Sequence, residues 1–142
     1  MLFAEKLKTL RVASGLSQEE IAETLGVTLR TYWNYEAGRM YPKRTDSYGK
    51  LAKMFNVTTD YLLSEEDYCY IDAQDKGGKR ALKDVKKLVT EFGGLFAGGE
   101  LSEDDKEEVM MSLLELYWKA RKINKEKDAP KKLGKATAQT KD

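Results

Sequence analysis

Residues 17–38 read SQEEIAETLGVTLRTYWNYEAG, and the fold turns on this stretch. Ser17 followed three residues later by Glu20 is a capping box, in which the hydroxyl and the carboxylate satisfy two orphan amides at the start of a helix. Ile21, Ala22 and Leu25 then recur at helical spacing and predict a buried stripe. Gly26 stops that helix, Val27 can drop into the core at the turn, and Thr28 caps a new helix that runs to about Glu36 and ends at Gly38. This second helix, LRTYWNYE, packs two tyrosines, a tryptophan, an arginine and an asparagine into eight positions.

Working outward, FAEKLKTLRVAS predicts a preceding helix with Phe3, Leu7, Leu10 and Ala13 in register, stopped by Gly15. After Gly38, RMYPKR reads as a loop because proline resists helix. Thr45 or Asp46 can cap a fourth helix carrying Tyr48, Leu51, Ala52 and Phe55, which Asn56 ends. Thr58 or Thr59 opens a short fifth helix with Tyr61, Leu62 and Leu63. SEEDYCYIDAQDKGGK is acidic and then glycine-rich, with no clear helical stripe, and is read as a linker. LKDVKKLVTEFGGLFA places Leu82, Val85, Leu88, Val89 and Phe92 on one helical face. Ser102 caps a last helix whose first turn, Glu103, Asp104 and Asp105, suits the positive end of a helix dipole. Beyond Asn124 the chain is lysine-rich, with Pro130 and Gly134, and is expected to be disordered.

The expected organisation is all-α. Residues 1–64 form a five-helix domain, 65–79 a linker, 80–123 a C-terminal helical hairpin, and 124–142 a basic disordered tail. Charge divides along similar lines. Residues 1–63 hold nine Lys/Arg and seven Asp/Glu, residues 64–119 eight and fourteen, and residues 120–142 eight and three. An acidic centre between two basic ends points to separate jobs for separate segments.

Composition excludes several kinds of chemistry. There is no histidine, which removes His-based acid/base catalysis, Ser-His-Asp triads and His-ligated metals. The single cysteine, Cys69, cannot form an intrachain disulfide, so a reducing cytoplasm is the expected setting. No phosphate-cradling glycine loop or catalytic pair is present, so neither an enzyme nor a cofactor is expected. No apolar run reaches the ~18 residues of a membrane span, and no signal peptide is visible at MLFAEKLKTLRVASG.

Helix, Gly-Val turn, helix is the spacing of a unit whose second helix lies in the DNA major groove. From Phe3 to Leu63 the chain resembles the Cro and phage-repressor type of DNA-binding domain, the XRE family, also called lambda-repressor-like. The residues carrying the resemblance are LRVASGLSQEEIAETLGV, YEAGRMYP and LAKMFNVTTDYLL. It implies double-stranded DNA as partner. It implies that Ser17 and Gln18 hold the DNA backbone, which sets register without reading sequence. It places Thr28, Leu29, Arg30, Trp33 and Asn34 at base-reading positions. The side chains suit that role, since Arg30 can grip guanine O6 and N7, Asn34 adenine N6 and N7, and Leu29 a thymine methyl. Trp33 is open to two readings, DNA contact or partly buried packing. Arg39, Lys43 and Arg44 fall in the loop where the family meets phosphate. Tyr32 and Tyr35 are expected to face inward, and Arg11 and Glu36 match a largely buried salt bridge of similar domains.

In the last helix, Val109, Leu113, Leu116, Tyr117 and Ala120 make one apolar stripe, and Met110, Leu114 and Trp118 make a second beside it. One stripe can serve the hairpin. The second is expected to need a partner surface, with a homodimer as the economical choice, because paired recognition helices reach two half-sites about 34 Å apart. Packing of this stripe on the chain's own first domain is the alternative. LFAGGELSEDDKEEVMMSLLELYWKARKINKE also resembles the tail of bacterial and mobile-element regulators of this family. Some of those act beside a metallopeptidase that relieves repression, so a peptidase partner is implied. The expected function is a sequence-specific, dimeric DNA-binding repressor. The alternative is an antitoxin-like module that neutralises a partner through its C-terminal helices.

Overall fold

The structure is a computed structural model. It describes the backbone of residues 1–97 and 99–141 and the side chains of 1–94, 97 and 99–126. It is built from helices: α1 (Phe3–Ser14), α2 (Gln18–Leu25), α3 (Leu29–Glu36), α4 (Thr45–Phe55), α5 (Thr59–Leu62), α6 (Glu65–Phe96) and α7 (Glu103–Lys141). No strand occurs among the described residues.

The first five helices follow their local signals. Both halves of the capping box at α2 form: the Glu20 amide donates to Ser17 Oγ at 3.1 Å, and the Ser17 amide donates to the Glu20 carboxylate at 3.1 Å. Thr28 and Thr58 cap α3 and α5 by accepting from the amides of Thr31 and Tyr61. Asn56 ends α4 with φ at 54°, in the left-handed region that asparagine tolerates better than most side chains. Arg44 precedes α4 without a side-chain cap, where the sequence pointed to Thr45 or Asp46. Phe3, Leu7, Ile21, Leu25, Tyr32, Leu51 and Leu62 close the centre. Each such burial contributes roughly 1.5–3 kcal/mol before the opposing chain entropy.

Residues 65–79 correct the sequence reading. They are not a linker: α6 begins at Glu65 and continues across a kink at Gly78, where φ is 75° and ψ is −164°. Only glycine adopts that backbone readily, so the Gly-rich signal marks a bend between two helical limbs. The buried positions are Asp67, Tyr70, Ala73, Gln74, Ala81, Leu82 and Val85, a helical repeat of three and four that the two polar members conceal. A compact unit accordingly runs from Met1 to Leu88, and a second from Val89 to Asp142. Leu82 and Val85, assigned from sequence to a C-terminal hairpin over 80–123, belong to the core of the first unit.

Asp67 explains why the first limb of α6 joins that core. Its carboxylate is 0% exposed. Both oxygens accept from the Phe3 amide at 3.1 Å, the Tyr41 hydroxyl donates at 2.6 Å, and the Ser64 amide and hydroxyl donate at 2.9 Å. Leu2, at the N-cap of α1, has no side chain able to cap, and Asp67 fills that role from 64 residues away. A carboxylate at a helix N-terminus also meets the positive end of the dipole. Gln74 adds a second tie, accepting from the Tyr41 amide at 2.8 Å and donating to its carbonyl at 3.0 Å.

In the second unit, Ser102 caps α7 as expected, accepting from the Asp105 amide at 3.1 Å. Met110, Leu113, Leu114, Tyr117 and Trp118 are half-buried, whereas Val109, Leu116 and Ile123 are exposed. Val109 and Leu116 are thus more open to solvent than Met110, Leu114 and Trp118. Of the tail expected to be disordered, residues 124–126 are helical and exposed, and the side chains of 127–142 lie outside the described residues.

Candidate nucleic-acid interface

The eight residues of α3 sort onto two faces. Tyr32 and Tyr35 point into the core, 0% and 4% exposed, with their rings edge to face at 6.3 Å. Burial pushes both phenols above their ordinary range. On the opposite face Arg30 is exposed and Asn34, one turn on, is half-exposed. Among the described residues neither side chain has a hydrogen-bond or ion-pair partner, so their donors are directed to solvent. Thr28 and Leu29 lie at the start of the same face, the Thr28 hydroxyl bonded to Thr31.

A polar network fixes how α3 is presented. Arg11 Nε donates to Glu36 Oε1, and the pair is largely buried, with side chains 16% and 7% exposed. The Tyr32 hydroxyl donates to the same carboxylate at 2.7 Å, and Gln18 Nε2 donates to it at 2.9 Å. Burial alone would raise the Glu36 carboxyl, but the bonds from Arg11, Tyr32 and Gln18 outweigh it and hold the group below its ordinary value. Gln18 then reaches across: its Oε1 accepts from the Trp33 indole at 2.9 Å. Trp33 is 50% exposed, so one edge of the indole is held by the protein and the ring surface remains open.

This arrangement sharpens two roles that the resemblance implied. The Gln18 amide is committed to α3 through Glu36 and Trp33, which makes it a link between the two helices. Ser17 is exposed but engaged as the α2 cap. Arg39, Lys43 and Arg44 are exposed in the loop after α3, and among the described residues their side chains have no partner.

Sequence reasoning missed the contribution of α6. Lys86 Nζ donates to the Gly38 carbonyl, just past the end of α3, and lies 5.7 Å from the Tyr41 ring centre and 5.5 Å from that of Tyr70. A cation there suits the negative end of the α3 dipole. Burial draws the Lys86 ammonium below its usual range, and the Asp67 charge opposes that shift. Lys79, just past the kink, shares a shallow surface hollow with Lys43, Gln74, Asp75 and Gly78. No local motif announces these contacts, since Lys86 and Gly38 are 48 residues apart.

Among the described residues no group of carboxylates or cysteines can hold a metal ion, and no helix is long and apolar enough to cross a membrane. Comparison with known proteins agrees with the geometry. Residues 4–67 match a helix-turn-helix domain family. An HTH-type transcriptional regulator from the SPbeta prophage of Bacillus subtilis is 31% identical over 115 residues, 80% of this chain and 94% of its own length. The transcriptional repressor RstR of a cryptic CTXphi phage in Vibrio cholerae is 32% identical over 127 residues, 88% of this chain and 98% of its own. The HTH-type transcriptional regulator ImmR of Bacillus subtilis is 32% identical over 105 residues, 73% of this chain and 82% of its own. No solved structure matches significantly. With α3 displayed outward from a tyrosine-anchored core, and relatives of this kind along most of its length, the chain belongs to the XRE-type family of helix-turn-helix, DNA-binding transcriptional regulators.

Proposed function

We propose that this regulator is a dimeric repressor of bacterial or mobile-element genes that reads paired half-sites through α3. The observation that carries the reading is the pairing of outward Arg30 and Asn34 on a helix whose tyrosines are locked inward. Arg30 grips a guanine and Asn34 an adenine, each by two hydrogen bonds, and Leu29 meets a thymine methyl. Trp33, its N–H taken by Gln18, packs its ring on sugar and phosphate. Ser17, Gln18, Arg39, Lys43 and Arg44 contact phosphates and set the register. Repression is favoured by the relative named as a phage repressor, and a mobile-element setting by the prophage origin of another.

The test is a binding titration against genomic fragments. The wild-type chain is expected to select a site with two-fold symmetry and to lose affinity steeply with salt. Arg30→Ala is expected to lose discrimination at one base pair per half-site, at a cost of roughly 1–3 kcal/mol. Uniform weakening on every sequence would remove Arg30 from base reading.

A further inference from the structure

Gly78 folds α6 back on itself. A straight helix would set Tyr70 and Lys86 about 24 Å apart, yet the Lys86 ammonium lies 5.5 Å from the Tyr70 ring centre. The second limb therefore returns beside the first, within the unit from Met1 to Leu88. Residues 76–83, KGGKRALK, hold four cations and no carboxylate. Lys76 is paired with Asp72 at 3.0 Å. Lys79, Arg80 and Lys83 are exposed, and among the described residues no hydrogen bond or ion pair holds their side chains. Two contacts fix which way this limb faces. At its start Lys79 shares the surface hollow with Lys43, and near its end Lys86 donates to the Gly38 carbonyl. Gly38 and Lys43 are the two ends of the loop that leaves α3, so that loop lies along one face of the limb. Positions 79, 83 and 86 are four and three apart and share that face, which puts Lys83 beside the loop between the two contacts. Arg80 and Lys87, seven apart, lie about 90° further round, turned away from the buried Ala81, Leu82 and Val85. Asp75 also borders the hollow, and its charge offsets one of the two lysines there.

We infer that Lys79 and Lys83 bind DNA phosphates, so that a helix outside the five-helix domain enlarges the interface. Their partner is the backbone of the same duplex that α3 enters, at phosphates flanking those met by the loop. Three observations lead there. Both ammonium groups are exposed and unpaired, they stand on the face that adjoins the loop, and that loop itself presents Arg39, Lys43 and Arg44. The cations of the two segments thus form one continuous basic surface rather than scattered solvated charges. Lysine suits the task as a mobile point charge, which meets a phosphate without the fixed geometry that base reading needs. Lys86 plays a different part: its bond to Gly38 holds the limb against the loop. The inference rests on the reading of the loop as a phosphate-contact segment and extends that footprint.

The test uses the full chain and measures affinity across a salt series. The probes are a duplex that the wild-type chain selects from a random-sequence pool, and the unselected pool itself. Lys79→Gln with Lys83→Gln is expected to reduce the slope of log K against log salt by about 0.9 per lysine for each bound subunit, and to weaken binding roughly tenfold in low salt. Base preference is expected to stay as in wild type. Lys79→Arg with Lys83→Arg keeps both charges and is expected to restore the slope. Arg80→Gln with Lys87→Gln removes the same charge from the face turned away from the loop, and is expected to leave the slope unchanged. Equal slope changes from the two glutamine pairs would reduce the effect to net charge and overturn the inference, as would an unchanged slope in Lys79→Gln with Lys83→Gln. Lys43→Gln separates this result from the reading beneath it. A slope lowered by Lys43→Gln but not by the α6 pair overturns this inference alone, whereas the reverse removes the loop lysine and retains the α6 contacts.

Discussion

From Met1 to Leu88 the chain buries twenty apolar side chains and locks three polar ones among them; from Val89 onward no described side chain is fully buried. The first unit closes on itself through ties between residues far apart in sequence: Asp67 to Phe3 and Tyr41, Gln74 to Tyr41, Lys86 to Gly38, Arg11 and Gln18 to Glu36. The second unit leaves Leu101, Val109, Met111, Leu116 and Ile123 facing water. The contrast teaches that pattern alone does not separate a finished core from an unfinished one. Both regions show apolar residues at helical spacing. What distinguishes them is whether polar groups are buried among the apolar ones and tied to distant segments, as Asp67 and Gln74 are.

The sharpest way to break this contrast is Asp67→Ala. It strands the Phe3 amide, the Tyr41 hydroxyl and the Ser64 amide, and should cost roughly 3–5 kcal/mol of unfolding free energy in urea titrations. The counterpart in the second unit, Leu116→Lys, should leave the stability of the first unit within about 0.5 kcal/mol. An Asp67→Ala chain as stable as wild type would mean that the first limb of α6 is an appendage and not part of the core.

Next in size is the response to pH, and it too should report on the first unit. Tyr32, Tyr35, Tyr41, Tyr48 and Tyr70 all have phenols raised by burial. A raised group contributes stability that is complete below its unfolded value, about 10 for tyrosine, and is lost as pH rises toward the folded value. The unfolding midpoint should therefore fall steeply above about pH 10. Tyr35→Phe, which removes one of these phenols, should make that fall shallower. At the acid end the sign reverses. Glu36 is held low, so its contribution is present above the unfolded carboxyl value, about 4.3, and is lost as pH drops through the folded one. Glu36→Gln should flatten the acid limb in the same measurement.

The smallest effect tests whether the network that steadies α3 serves recognition. Gln18→Ala frees the Trp33 indole and removes one donor from Glu36, at a cost of about 0.5–1.5 kcal/mol in stability. Its effect on DNA binding should exceed its effect on folding, seen as a faster dissociation rate from the preferred site. Equal losses in both would reduce Gln18 to a structural bond.

The same contrast governs how much of the molecule is legible in its sequence. The capping box at Ser17, the cap at Thr28, the stop at Gly26 and the inward tyrosines are legible because each signal is carried by neighbours a few residues apart. The outward face of α3 follows from the same periodicity. The first limb of α6 is not legible, because its buried stripe passes through Asp67 and Gln74. A rule that counts apolar residues sees a broken pattern there. The polar members are buried because their partners, Phe3 and Tyr41, arrive from elsewhere in the chain. The boundary at 64 fails for the same reason, and so does the assignment of Leu82 and Val85 to a separate hairpin. The exposed row of α7 is visible as a stripe, but which of two adjoining stripes stays open depends on packing that spacing does not encode.

The remote cap on α1 also dictates an order of events during synthesis. The acceptor of the Phe3 amide is made 64 residues after it. At about 5–20 residues per second, the nascent chain spends roughly 3–13 s with its first helix uncapped. The first unit therefore closes as a whole only once the first limb of α6 has left the ribosome.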